Sequence, residues 1–136
     1  MSETAGRVLV VDGNQAIADL VQEILADDGY TVTTLADHGP GALQAVVAQL
    51  EPDCVLLDGA GPRGYGRSWQ DAAWLARRDR PVPVVMFSAD TEAIQEAQEH
   101  TSRQSQAAGF VAVIGKPFGL QDLVRTVARV IKRSPD

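Results

Sequence analysis

The sequence has very little cysteine, lysine or aromatic side chain, and each scarcity narrows what the protein can be. One cysteine in 136 residues, Cys54, rules out an internal disulfide and suits a reducing, cytoplasmic setting. Only two of the twelve basic residues are lysines, Lys116 and Lys132, so a lysine at a motif position stands out. The formal net charge is −6 with acids scattered along the chain, which argues against a nucleic-acid or anionic-membrane surface. No apolar run approaches the roughly 20 residues of a membrane-spanning helix, and the amino terminus, MSETAGR, lacks an apolar signal core. Neither nucleic acid nor membrane is therefore expected as a partner. What remains, 45% apolar and 22% charged, is the composition of one globular domain with a sizeable core.

Four short apolar runs rich in β-branched residues read as strands: RVLVV (7–11), DCVLL (53–57), VPVVMF (82–87) and FVAVI (110–114). Continuous rather than alternating runs indicate strands covered on both faces, hence a parallel sheet between helices. A fifth run, TVTTL (31–35), alternates apolar and polar residues and reads as an edge strand. Helical patterns fall between the strands. Ile17, Leu20, Val21, Ile24 and Leu25 recur at helical spacing, with Gly29 as the stop. Leu43, Val46, Val47 and Leu50 form a second set between Pro40 and Pro52. Ser68 and Asp71 resemble a capping box opening a third helix, with Trp69, Ala72, Ala73 and Ala76 on one side. The last helix carries Leu120, Leu123, Val124, Val127, Val130 and Ile131. The fourth helical pattern, 91–107, holds Ile94 as its only large apolar residue, so it is either an exposed face or a surface awaiting a partner. Five β-α units in succession imply an α/β fold, a doubly wound five-stranded parallel sheet with five flanking helices.

Ligands on such sheets sit at the carboxyl ends of the strands. Strand one ends in Asp12, strand three in Asp58, strand four in Ser88, and strand five in Lys116 after Gly115. Two acids in close quarters repel unless a cation lies between them, and oxygen ligands select a hard one such as Mg²⁺. Carboxylate, divalent metal, hydroxyl and lysine together suit phosphoryl groups, with one acid as the nucleophile.

These residues resemble the receiver domains of bacterial two-component response regulators. RVLVVDGNQ is similar to the family's first strand and its acids, and PDCVLLDGAGPRGYG to its third strand and following loop. VPVVMFSAD is similar to the fourth strand with its switch hydroxyl and small residue. AAGFVAVIGKPF resembles the segment ending in Lys-Pro-Phe. The resemblance implies a flavodoxin-like sheet in the order 2-1-3-4-5 and a single receiver domain over 1–136, its core at about 7–133. It implies phosphorylation at Asp58, with Mg²⁺ held by Asp12, Asp58 and the backbone carbonyl of Ala60. Ser88, Ala89 and Lys116 would bind the phosphoryl group and form the switch, with a cis peptide expected before Pro117. A sensor histidine kinase or phosphotransfer protein would be the donor, docking near the first helix and the Asp58 rim. A downstream protein, or a second copy, would meet the fourth helix, fifth strand and fifth helix. The role implied is regulatory rather than enzymatic, beyond the domain's own phosphorylation and dephosphorylation. The chain ends with its last helix, so no output domain is expected on it.

Two positions depart from the family pattern. Gly13 stands where a second acid normally touches the metal, and Val113 where an aromatic switch residue normally lies. Gly13 should weaken the metal site, with water filling the vacancy. The rival reading is a pseudo-receiver that binds proteins without being phosphorylated. Asn14 reads as the cap of the first helix, with a substitute metal ligand as the second reading. GAGPRG (59–64) matches the dinucleotide pattern G-x-G-x-x-G, but no helix opens directly after it. His38 and His100 read as surface residues, Trp74 as half-exposed, and the RRDR run (77–80) as a solvated helix end.

Overall fold

Apolar runs that end in a polar residue set both the strands and the rim of this molecule. The computed structural model describes residues 6–12, 14–35, 42–58, 72–88, 110–115 and 119–133. Its strands are β1 (Arg7–Val11), β2 (Thr31–Leu35), β3 (Cys54–Asp58), β4 (Val84–Ser88) and β5 (Ala112–Gly115). They form one parallel sheet in the order β2-β1-β3-β4-β5, as expected. Among the described residues the helices are α1 (Gln15–Asp27), α2 (Ala42–Leu50), α3, described over 72–76, and the C-terminal helix α4 (Leu120–Arg133). The helix expected over 91–107 and the capping box at Ser68 lie outside the described residues, as do Trp69, His38, His100 and the glycine pattern at 59–64.

Alternation along each strand divides the core in two. Leu9, Val11, Val55, Leu57, Val84 and Met86 face Leu43 and Val47 of α2 and Ala72 and Leu75 of α3. Val8, Val10, Leu56, Val85, Phe87 and Ile114 face Val21 and Leu25 of α1 and Leu123, Val127 and Val130 of α4. A sheet covered on both faces is what continuous apolar runs require. Edge strand β2 is exposed at Thr31 and half-buried elsewhere.

Three expected boundaries and three expected faces are corrected. β3, β4 and β5 begin one to two residues later than the apolar runs do. Asp53 is diverted to the entry of β1, where its Oδ2 accepts the Arg7 amide N–H at 2.8 Å. Pro83 has no N–H to give a ladder, so β4 starts at Val84. Leu20 is 49% exposed because the buried line of α1 runs through Ala18, Val21 and Leu25, leaving Leu20 off that stripe. Leu120 is likewise exposed at the start of α4. On α3 the buried face is Ala72, Ala73 and Leu75, with Ala76 turned out. Arg78 is also more than a solvated helix end: it lies over the Trp74 ring at 5.4 Å, and its Nη2 is 3.6 Å from Glu51 Oε1. Trp74 itself is half-buried, as expected.

Gly29 stops α1 as the sequence suggests. It adopts φ 97°, its amide donates to Ala26 O, and the Tyr30 amide donates to Leu25 O. These two bonds satisfy the last carbonyls of the helix, while Tyr30 and Leu25 share a core cluster. Cys54 is fully buried, and burial, with a smaller push from Asp53, raises its thiol to about 12.

Candidate functional site

The pairing of β1 with β3 sets Val11 beside Leu57, so the next residues in line are Asp12 and Asp58. Two carboxylates therefore leave neighbouring strands at the same level. β3 pairs Asp58 with Phe87, and β4 pairs Ser88 with Gly115, so Ser88 and Gly115 stand one step further along the same rim. The topology thus brings Asp12, Asp58 and the backbone of Ser88 to one end of three adjacent strands. Gly13, Ala60, Ala89, Lys116 and Pro117 lie outside the described residues.

Asp12 is 2% exposed, the one buried polar or charged residue among the described residues, whereas Asp58 is half-buried. A carboxylate buried this far needs hydrogen bonds or a cation to offset its lost hydration. The Asn14 amide donates to Asp12 Oδ1 at 2.9 Å, and the Asp12 amide donates to Leu35 O at 3.2 Å. The first bond holds the carboxylate and the second ties its backbone to β2.

Asn14 resolves in favour of the cap. Its backbone is extended, and its Oδ1 accepts the Ile17 amide at 3.2 Å, satisfying one of the donors left free at the start of α1. Its side-chain oxygen is committed to the helix rather than directed to a metal. Val113 is half-buried and packs with the α2 and α3 side of the core. No aromatic side chain occupies that place on β5.

Asp12 and Asp58 are the acids that the strand register puts together, and two carboxylates fit a hard cation such as Mg²⁺, which is commonly held by one or two carboxylates plus water. No cluster of three or more histidine, cysteine or acidic residues is found among the described residues. Sequence reading does not single out Arg125 and Arg129, which line a cleft of about 300 Å³ with Val113, Gly115 and Asp122. Their four-residue spacing on an amphipathic helix is the signal that could have found them.

A five-stranded parallel sheet in this order, with adjacent carboxylates at its carboxyl rim, points to one class of signalling domain. The family model for the response regulator receiver domain matches residues 8–128. The DNA-binding response regulator MtrA of Mycolicibacterium smegmatis is 33% identical over 130 residues, covering 96% of this chain and 52% of that protein. A protein-glutamate methylesterase/protein-glutamine glutaminase of Symbiobacterium thermophilum is 40% identical over 126 residues, covering 90% of this chain and 32% of that protein. Among solved structures, the receiver domain of NtrX from Brucella abortus superposes with a TM-score of 0.74 at 27% identity, covering 93% of this chain and 99% of that one. The chain belongs to the response regulator receiver domain family. It spans about half the length of MtrA and a third of the methylesterase.

Proposed function

We propose that this receiver domain accepts a phosphoryl group on Asp58 from a sensor histidine kinase or phosphotransfer protein in the cytoplasm. The observation that carries the reading is the register of β1 on β3, which sets Asp12 beside Asp58. A carboxylate oxygen of Asp58 attacks phosphorus as the bond from phosphorus to the donor's nitrogen breaks. Bound Mg²⁺ supplies positive charge that neutralises the phosphoryl oxygens. Asp12, buried and accepting the Asn14 amide N–H, would hold that ion together with Asp58. The Ala60 carbonyl would be the further protein ligand, and Ser88, Ala89 and Lys116, the last followed by the cis-peptide candidate Pro117, would bind the phosphoryl group and report it. The cleft beside Val113, with Arg125 and Arg129 on α4, supports a downstream protein or a second copy meeting this face. The domain's role is regulatory, its only chemistry being its own phosphorylation and dephosphorylation. The unit that does this is the single domain, 1–136.

Beryllofluoride, a phosphoryl mimic, tests the reading. With Mg²⁺ it should shift the backbone amides at 54–58 and 84–88, and Asp58→Asn should abolish those shifts. Gly13 favours a second reading, a pseudo-receiver that binds its partners without phosphorylation. Unchanged amides with beryllofluoride and Mg²⁺ would favour it.

A further inference from the structure

The buried carboxylate of Asp12 is followed by the residue with the greatest backbone freedom, Gly13, and then by Asn14. The Asp12 amide already ties its backbone to Leu35 O, and fixing the chain beyond the glycine adds a hold on the carboxylate. Asn14 makes three bonds that do so. Its Oδ1 accepts the Ile17 amide at 3.2 Å, its carbonyl accepts the Ala18 amide at 3.0 Å, and its own amide donates to Asp12 Oδ1 at 2.9 Å. The first two bonds lock residue 14 onto the first turn of α1, which is anchored in the core through Ala18, Val21 and Leu25. The third passes that anchorage to the carboxylate.

We propose that Asn14 is a positioning residue for the acidic site: its side-chain cap on α1 holds its amide where it orients Asp12 for a divalent cation. The inference rests on the reading of Asp12 as a metal ligand and adds a cause for its orientation. Groups that orient a metal's ligands typically matter by 10- to 100-fold in affinity. Because this site lacks the acid at position 13, Asp12 carries more of the binding, and its orientation matters correspondingly more.

The test combines a metal-free and a metal-bound readout on folded protein. Three variants are compared with the wild type: Asn14→Ala removes the cap, Asn14→Ser keeps a capping oxygen, and Leu20→Gly loosens the exposed side of α1 away from the site. Three-bond couplings report the Asp12 side-chain rotamer without metal, and amide-shift titration gives the Mg²⁺ dissociation constant. In Asn14→Ala the Asp12 rotamer should become averaged and Mg²⁺ binding should weaken on the order of tenfold. Asn14→Ser should recover both, and Leu20→Gly should leave both at wild-type values. A single unchanged Asp12 rotamer in Asn14→Ala overturns the proposal whether or not Mg²⁺ binds. So does an equal loss in Leu20→Gly, which would make the effect a general loosening of α1. Averaging of Asp12 in Asn14→Ala, in a wild type that takes up no Mg²⁺, would uphold the positioning role and defeat the metal-site reading instead.

Discussion

Gly13 is one residue with a measurable consequence. It leaves Asp12 and Asp58 as the adjacent acids at the rim, and cation affinity in oxygen sites rises with the number of charged ligands. Gly13→Asp should therefore tighten Mg²⁺ binding on the order of tenfold, read by amide-shift titration. An unchanged constant would mean that position 13 does not reach the ion. Cys54 yields a prediction of a different kind. Burial raises its thiol to about 12 in the folded protein, against an ordinary value of 9.0. The folded state therefore keeps a proton that the unfolded chain gives up, so unfolding becomes easier as pH rises from about 9 toward 12. Tyr30, its phenol raised by burial and by Asp28 and Cys54, acts with the same sign at the upper end of that window. Urea unfolding should show stability falling above pH 9, by at most about 1.4 kcal/mol per pH unit for the thiol, and less steeply in Cys54→Ala. At this scale the sequence was informative where chemistry was unusual. Asp12 and Asp58 stood out because each ends a continuous apolar run, and Asn14 because a cap has a recognisable place before a helix. The hydrogen bond from the Asn14 amide to Asp12 was not legible, because it is set by the path of the chain between strand and helix.

At the scale of elements, α1 shows what holds a helix between two functional ends. Asn14 caps its start, and Gly29 ends it at φ 97°, a conformation that costs a residue with a Cβ about 1–2 kcal/mol. Gly29→Ala should lower stability by roughly that amount in urea unfolding while leaving Mg²⁺ binding intact, since the change lies at the end of α1 remote from Asp12. A loss below a few tenths of a kcal/mol would mean that the turn relaxes. The type and order of the described elements were readable because period-two and period-3.6 patterns differ over whole segments. Which side of a helix is buried was read less well. Apolar residues at Leu20 and Leu120 fit the helical spacing, yet a neighbouring line of small or branched residues faces the sheet and leaves them out. The starts of β3 and β4 were displaced for a local reason: Asp53 spends its carboxylate on the Arg7 amide, and Pro83 accepts the Val55 amide but has no N–H to give a ladder.

At the scale of the whole molecule, the described residues form one sheet with a separate core on each face. Leu43 belongs to the core under α2 and Leu123 to that under α4, both fully buried on opposite faces. Leu43→Ala and Leu123→Ala should each cost about 2–5 kcal/mol. Because the sites share no partners, the double variant should lose close to the sum, within about 0.5 kcal/mol, by urea unfolding. A large departure would mean that the sheet transmits strain between its faces. The family could be read from the sequence because the strand-end residues recur in order over most of the chain, and the match over 8–128 agrees. The acceptor role of Asp58 is tested most directly by intact-protein mass after exposure to acetyl phosphate, with and without Mg²⁺, beside Asp58→Asn. A single phosphoryl adduct that requires both Mg²⁺ and Asp58 is the predicted result. An adduct that persists in Asp58→Asn, or none in the wild type with Mg²⁺ present, would contradict it.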